Sequence, residues 1–263
     1  MNAVEVERKF PLWRVFACIA VLISWSVLIK WGFQMDRSVG VSFAVFGREN
    51  PFILRFFYHF IGFAVWLVIP FCFSTQKSIA VFARNIGLID RIELSACLYS
   101  GGAMVSALLA IGAIRLGIAR GNPDAKHYFQ GGELVWSGYL LIAILIGPII
   151  EEVVTRGFLY GQLRQRLSIP KCIVLVLAFS LYFHWEIVTT NPVFAFLLVM
   201  NGIFLCAIRE KTKSLWNCVL YHGVYNAAVA HQWTLIVTVI SILVLLGNGQ
   251  GKVNSSQSTE SLQ

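Results

Sequence analysis

Long apolar runs separated by short polar loops constrain this chain more than any other feature. The runs fall at about 15–33, 52–73, 94–114, 134–158, 172–188, 193–208, 215–230 and 233–246. A helical membrane span needs about 20 apolar residues. The pattern therefore predicts an all-α fold, a polytopic transmembrane helix bundle of about eight spans. Composition agrees: 57% of the residues are hydrophobic and 13% charged, against roughly 25% charged in soluble domains. The chain is too apolar for an outer-membrane barrel with a polar lumen. The first run is long for a signal-peptide core and no small-residue cleavage site follows it, so it reads as a retained span. Residues 1–246 are expected to form one transmembrane domain with a motif-bearing core at 134–230. The Gly-, Ser-, Asn- and Gln-rich tail, 247–263, is expected to be disordered.

The net charge of +8 sits in the loops rather than in a stripe of the kind that binds nucleic acid. With eight spans, twelve of the 21 Lys and Arg residues fall on the side that holds both termini and five on the other. The positive-inside rule then places both termini in the cytoplasm, the bundle in the cytoplasmic (inner) membrane, and the basic loops against anionic lipid. The six cysteines lie in or beside apolar runs without a CxxC pair and read as small hydrophobes.

Ionisable groups inside spans cost about 2.5–3.5 kcal/mol each at mid-membrane, and are functional candidates by default. They cluster on the fourth, fifth and seventh runs. Glu152 and Arg156 are four apart, with the acid N-terminal, and read as a buried structural pair. Glu151 lies about 100° around the helix without a local cation, and is expected to face the bundle. His184 lies on the fifth run. His222 and Asn226 share one face of the seventh. One carboxylate, two imidazoles and an amide suffice to activate water and to hold an oxyanion. Two histidines and a carboxylate also form a hydrolytic zinc set, here Glu151, His184 and His222.

These residues resemble the motifs of the CAAX protease and bacteriocin-processing (Abi) family, intramembrane endopeptidases that include the type II CAAX prenyl proteases. The EExxxR motif reads Glu151-Glu152 through Arg156 and continues Gly157-Phe158-Leu159-Tyr160-Gly161. The FxxxH motif ends on His184, but Ser180 stands at its aromatic position with Phe179 beside it. The third motif, His followed four residues later by Asn or Asp, is His222 and Asn226, preceded by Ser214-Leu215-Trp216. The resemblance covers about 134–230. It implies an endopeptidase that hydrolyses a peptide bond of a membrane-associated peptide or protein. Glu151 would be the general base, with His184, His222 and Asn226 binding and polarising the scissile carbonyl, and Glu152 and Arg156 supporting the helix. A metal-free glutamate mechanism is the expected form and zinc the alternative. Two other readings are a catalytically idle binding or regulatory protein of the same fold, and a polytopic transporter.

Overall fold

The computed structural model describes residues 11–39, 51–74, 78–88, 95–117 and 141–229. Among these, all regular structure is helical. The helices are α1 (Leu12–Val39), α2 (Pro51–Phe73), α3 (Ile79–Asn85) and α4 (Ser95–Arg115), followed after the undescribed 118–140 by a continuous helical course. That course runs through a wide π turn, π1 (Ile142–Ile146), then α5 (Gly147–Glu152), a second wide segment, π2 (Val153–Leu159), and α6 (Tyr160–Leu163). Then come α7 (Ile169–Phe183), α8 (Trp185–Thr190), α9 (Pro192–Thr212) and α10 (Leu215–Val229).

Within the described residues, Leu12–Ile29 and Pro192–Thr212 are long and apolar enough to cross a membrane. Ala64–Phe73, Gly101–Gly112 and Ile169–Phe183 are shorter apolar stretches. The expected count of eight spans is therefore not reached there. The eighth run, 233–246, and the polar tail, 247–263, lie outside the described residues. Three further differences from the sequence expectation stand out. The basic stretch between the second and third runs contains the short helix α3, whose Phe82 is buried edge-on against Phe71 at 5.6 Å. The fifth run is divided at His184 into α7 and α8. The fourth run is not a uniform α-helix but changes register twice around the Glu-Glu pair.

The π2 segment sits at the centre, contacted by α2, α7, α9 and α10. Val153, Val154 and Phe158 from π2 join Val15, Cys18 and Leu22 of α1 and Cys172, Val176 and Phe179 of α7 in one buried apolar cluster. Large apolar side chains also face outward, with Leu109, Val174 and Phe196 each more than 60% exposed. Glu152, Arg156, Asn201 and Asn217 are buried. Apolar groups outside and charged groups inside match the requirements of a lipid solvent.

Helix ends follow local chemistry. Asn191 caps α9 by accepting from the Phe194 N–H at 3.3 Å, and Pro192 takes the first helical position, where no N–H is needed. The helix ends on Lys213 in the left-handed region, φ 57°, with Arg209 and Lys211 in its last turn beside the negative end of the dipole. The α3 turn docks on this corner. Gly87 O accepts from Leu215 N at 2.9 Å and Leu88 O from Trp216 Nε1 at 2.6 Å. Gly87 has φ +75°, and a Cβ there would stand 2.2 Å from Arg209 Nη1 and 2.3 Å from Lys213 O. A second link ties the same corner to α6. Arg164 binds both oxygens of Glu210 at 3.0 and 3.2 Å, and Tyr160 donates to Oε2 at 3.0 Å.

Gly87→Ala combines a left-handed backbone with a steric collision and is expected to cost about 1–3 kcal/mol. Thermal unfolding in detergent measures this. Gly101→Ala, a mid-helix position with none of the described residues within 4 Å of an added Cβ, should be neutral or stabilising under the same conditions.

Candidate active site

Glu151 and Glu152 close α5, at the step where the helix widens into π2. Single wide turns inside helices recur at functional sites. Adjacent residues point in different directions around the axis, so the two carboxylates serve different neighbours. The side chain of Glu152 is wholly buried. Its Oε1 receives Arg156 Nη1 at 3.1 Å and stands 2.9 Å from His222 Nδ1. Its Oε2 has no hydrogen-bond partner among the described residues. Glu151 remains about one-third exposed, and its Oε2 lies 3.9 Å from both His184 Nε2 and His222 Nε2.

Arg156 is held from several sides. Nη1 also donates to Thr155 Oγ1 at 2.9 Å, and Nη2 reaches Gly202 O on α9 at 3.5 Å. The Thr155 hydroxyl in turn donates to Glu151 O. A Cβ on Gly202 would stand 2.3 Å from Leu177 Cδ2 and 3.4 Å from Arg156 Nη2, so the glycine leaves room chiefly for α7. A hydrogen-bonded chain thus runs from α9 through Arg156 to the backbone of Glu151 and to the ring of His222.

The histidines arrive from two other helices. His184 occupies the break after α7, with φ −101° and ψ 20°. Its N–H bonds Ser180 O at 3.2 Å and its carbonyl accepts from Val188 N at 2.9 Å. The aromatic expected four residues before it is supplied one position earlier. Phe179 is buried and lies 6.1 Å from the Trp66 ring and 4.7 Å from Phe183. His222 lies on α10 and is more enclosed than His184. Asn226, one turn on, donates through Nδ2 to Ala143 O at 2.7 Å.

The structure therefore brings Glu151, His184 and His222 to one locus. Glu152 joins Arg156 and also His222, a contact that the four-residue Glu–Arg spacing did not disclose. The Asn226 amide spends one hydrogen on a backbone carbonyl. Sequence reasoning also missed Thr155, and a buried knot in which Tyr221 donates to Asn201 at 2.6 Å with Ser106 at 3.4 Å. The polar residues Asn201 and Ser106 within apolar runs were the available signal for that knot.

The donor set fits zinc in kind. The spacing does not: ligands at 2.0–2.1 Å in tetrahedral geometry stand about 3.3 Å apart, against 3.9 Å from Glu151 to either ring. Among the described residues no His, Cys, Asp and Glu group has metal-holding geometry.

Residues 133–228 match the family model described as type II CAAX prenyl endopeptidase Rce1-like. All six residues singled out above lie within the match; α1, α2 and α4 lie outside it. No curated protein and no solved structure matches the chain. Over those residues the chain is similar to that family, and two of its described helices are long and apolar enough to cross a membrane.

Removing one member of a buried ion pair strands the other. Arg156→Met should cost about 3 kcal/mol or more. Combining it with Glu152→Gln should recover much of that loss. Chemical unfolding of the purified variants reads both values.

Proposed function

We propose that the chain is an intramembrane endopeptidase that uses Glu151 to activate water against a peptide bond of a membrane-associated substrate. The observation that carries the reading is the convergence of two imidazole Nε2 atoms, from separate helices, at 3.9 Å from one Glu151 oxygen. That distance is too long for a direct hydrogen bond and is of the size that one bridging water spans.

Charge balance supports the assignment of roles. Glu152 and Arg156 offset each other. An ionised Glu151 then needs one cation, and His222 lies between the two carboxylates, with Nδ1 toward Glu152 and Nε2 toward Glu151. An imidazolium there carries a proton on both nitrogens and leaves the cluster neutral, which a low-dielectric setting favours. Glu151 takes a proton from water as the oxygen attacks the scissile carbonyl carbon. Negative charge moves from the carboxylate to the carbonyl oxygen, where His222 Nε2–H and the second amide hydrogen of Asn226 donate to it. His184 orients the water. Glu151 then returns its proton to the leaving nitrogen as the tetrahedral intermediate collapses. Glu152 sets the orientation of His222, and Arg156 holds the Glu152 side chain in place.

The substrate proposed is a peptide or protein held at the membrane, and the partners are that substrate and bilayer lipids. If zinc binds, Glu151, His184 and His222 would hold it, and it would add Lewis-acid polarisation; the observed spacing favours the metal-free form. The chain is further proposed to form one transmembrane domain over 1–246 with a polar tail at 247–263, in the cytoplasmic (inner) membrane, with both termini in the cytoplasm.

Glu151→Gln keeps the side-chain size and removes the base. With a farnesylated CAAX peptide as probe, it should lower kcat by at least about 100-fold at unchanged thermal stability. Wild-type turnover by this variant would discard the role of Glu151 and favour a binding or transport protein. A chelator should leave cleavage intact; loss of activity restored by added zinc would replace the metal-free form with the metal-dependent one.

A further inference from the structure

The wide turn π1 creates a bonding problem that its own helix cannot solve. The Gly147 N–H goes to Ile142 O, five residues back. In that register Ala143 O would next receive the N–H of residue 148, but residue 148 is Pro148, which has none. In ordinary α register the donor to Ala143 would be Gly147, already committed to Ile142. Ala143 O is thus stranded in both registers, and an unpaired carbonyl in an apolar setting is costly. It accepts instead from Asn226 Nδ2 at 2.7 Å.

Two glycines permit the close backbone approaches on either side of this contact. A Cβ on Gly147 would stand 2.9 Å from Ile142 O, and one on Gly223 would stand 2.6 Å from Ile144 O. Ile144 is the residue whose carbonyl Pro148 would serve in α register. The backbone of α10 at Gly223, next to His222, therefore packs against the Ile144 carbonyl, and one turn on its Asn226 side chain serves the Ala143 carbonyl that Pro148 leaves without a helical donor.

We propose that Pro148 is a positioning residue for the site: by withholding a backbone N–H, it commits the Asn226 amide to Ala143 O and fixes that side chain beside His222. The proposal rests on the reading of Asn226 as a carbonyl-polarising group. It adds a reason why this helix carries a Gly-Pro pair four residues before Glu151. Replacement of Pro148 by alanine returns a donor to the helix, either directly to Ala143 in the wide register or by letting Gly147 revert to Ala143 in the α register. Either outcome releases Asn226.

The test is a double-mutant cycle on the full chain in lipid-supplemented detergent, using Pro148→Ala, Asn226→Ala and the pair. Asn226→Ala strands the Ala143 carbonyl and should lower Tm by about 4 °C. The double variant should regain at least half of that loss, because the backbone then supplies the donor. Additive Tm changes would overturn the link between the two residues. The second readout is cleavage of a farnesylated CAAX peptide. Pro148→Ala alone should lower kcat by about 10-fold or more at unchanged KM, with no loss of Tm. An unchanged kcat would overturn the positioning role. A wild-type chain inert toward that peptide would count against the peptidase reading, while the thermal cycle would still decide whether Pro148 commits Asn226.

Discussion

A carboxylate with no access to solvent, Glu152, organises the rest of the molecule. Arg156 and the His222 ring meet on one of its oxygens. Each partner is itself tied to another helix. Arg156 reaches the backbone of α9 at Gly202, and His222 brings α10. Burying a charge costs several kcal/mol unless it is paired and hydrogen-bonded. The requirement to satisfy Glu152 therefore selects one arrangement of three helices over alternatives with equal apolar burial. Packing alone would discriminate poorly, because lipid tails are as apolar as the side chains that face them.

With Glu152 occupied, Glu151 is left to do something else. Its neighbour has taken the arginine and one face of His222, so the second imidazole nitrogen and His184 remain. The division is a geometric consequence of placing two acids in succession on a helix: one is wholly buried and the other stays about one-third exposed. The wide turns on either side of α5 extend this economy to the backbone. Helices rarely leave carbonyls unserved in an apolar setting, yet this one does so at the point where Asn226 arrives. Close approach at Gly223 lets α10 come near enough for polar groups to bond across.

The ends of the same helices are secured by different chemistry. Arg164, Tyr160 and Lys213 gather on Glu210, and the α3 turn inserts Gly87 and Leu88 against the α9–α10 corner. These contacts fix where α6, α9 and α10 meet, so the depth of Glu151 along its helix relative to His222 is set from the corner as well as from the middle. The interior pair and the corner clamp constrain the same two helices at two heights, which limits both sliding and rotation.

Much was legible in the residues alone. Apolar runs of span length pointed to a helical membrane protein, since only helices and closed barrels satisfy a backbone in lipid. Charged residues inside those runs identified Glu151, Glu152, Arg156, His184 and His222 as candidates, because such groups are rarely placed there without a use. The four-residue spacing disclosed the Glu152–Arg156 pair, a contact made within one helix. Contacts made between helices were not legible. Sharing of Glu152 with His222, the break at His184, the wide register around Gly147-Pro148 and the bond from Asn226 to Ala143 each depend on where a second helix lies. Periodicity describes a helix about its own axis; the rotation and height of its neighbour are decided only when buried polar groups on both find each other.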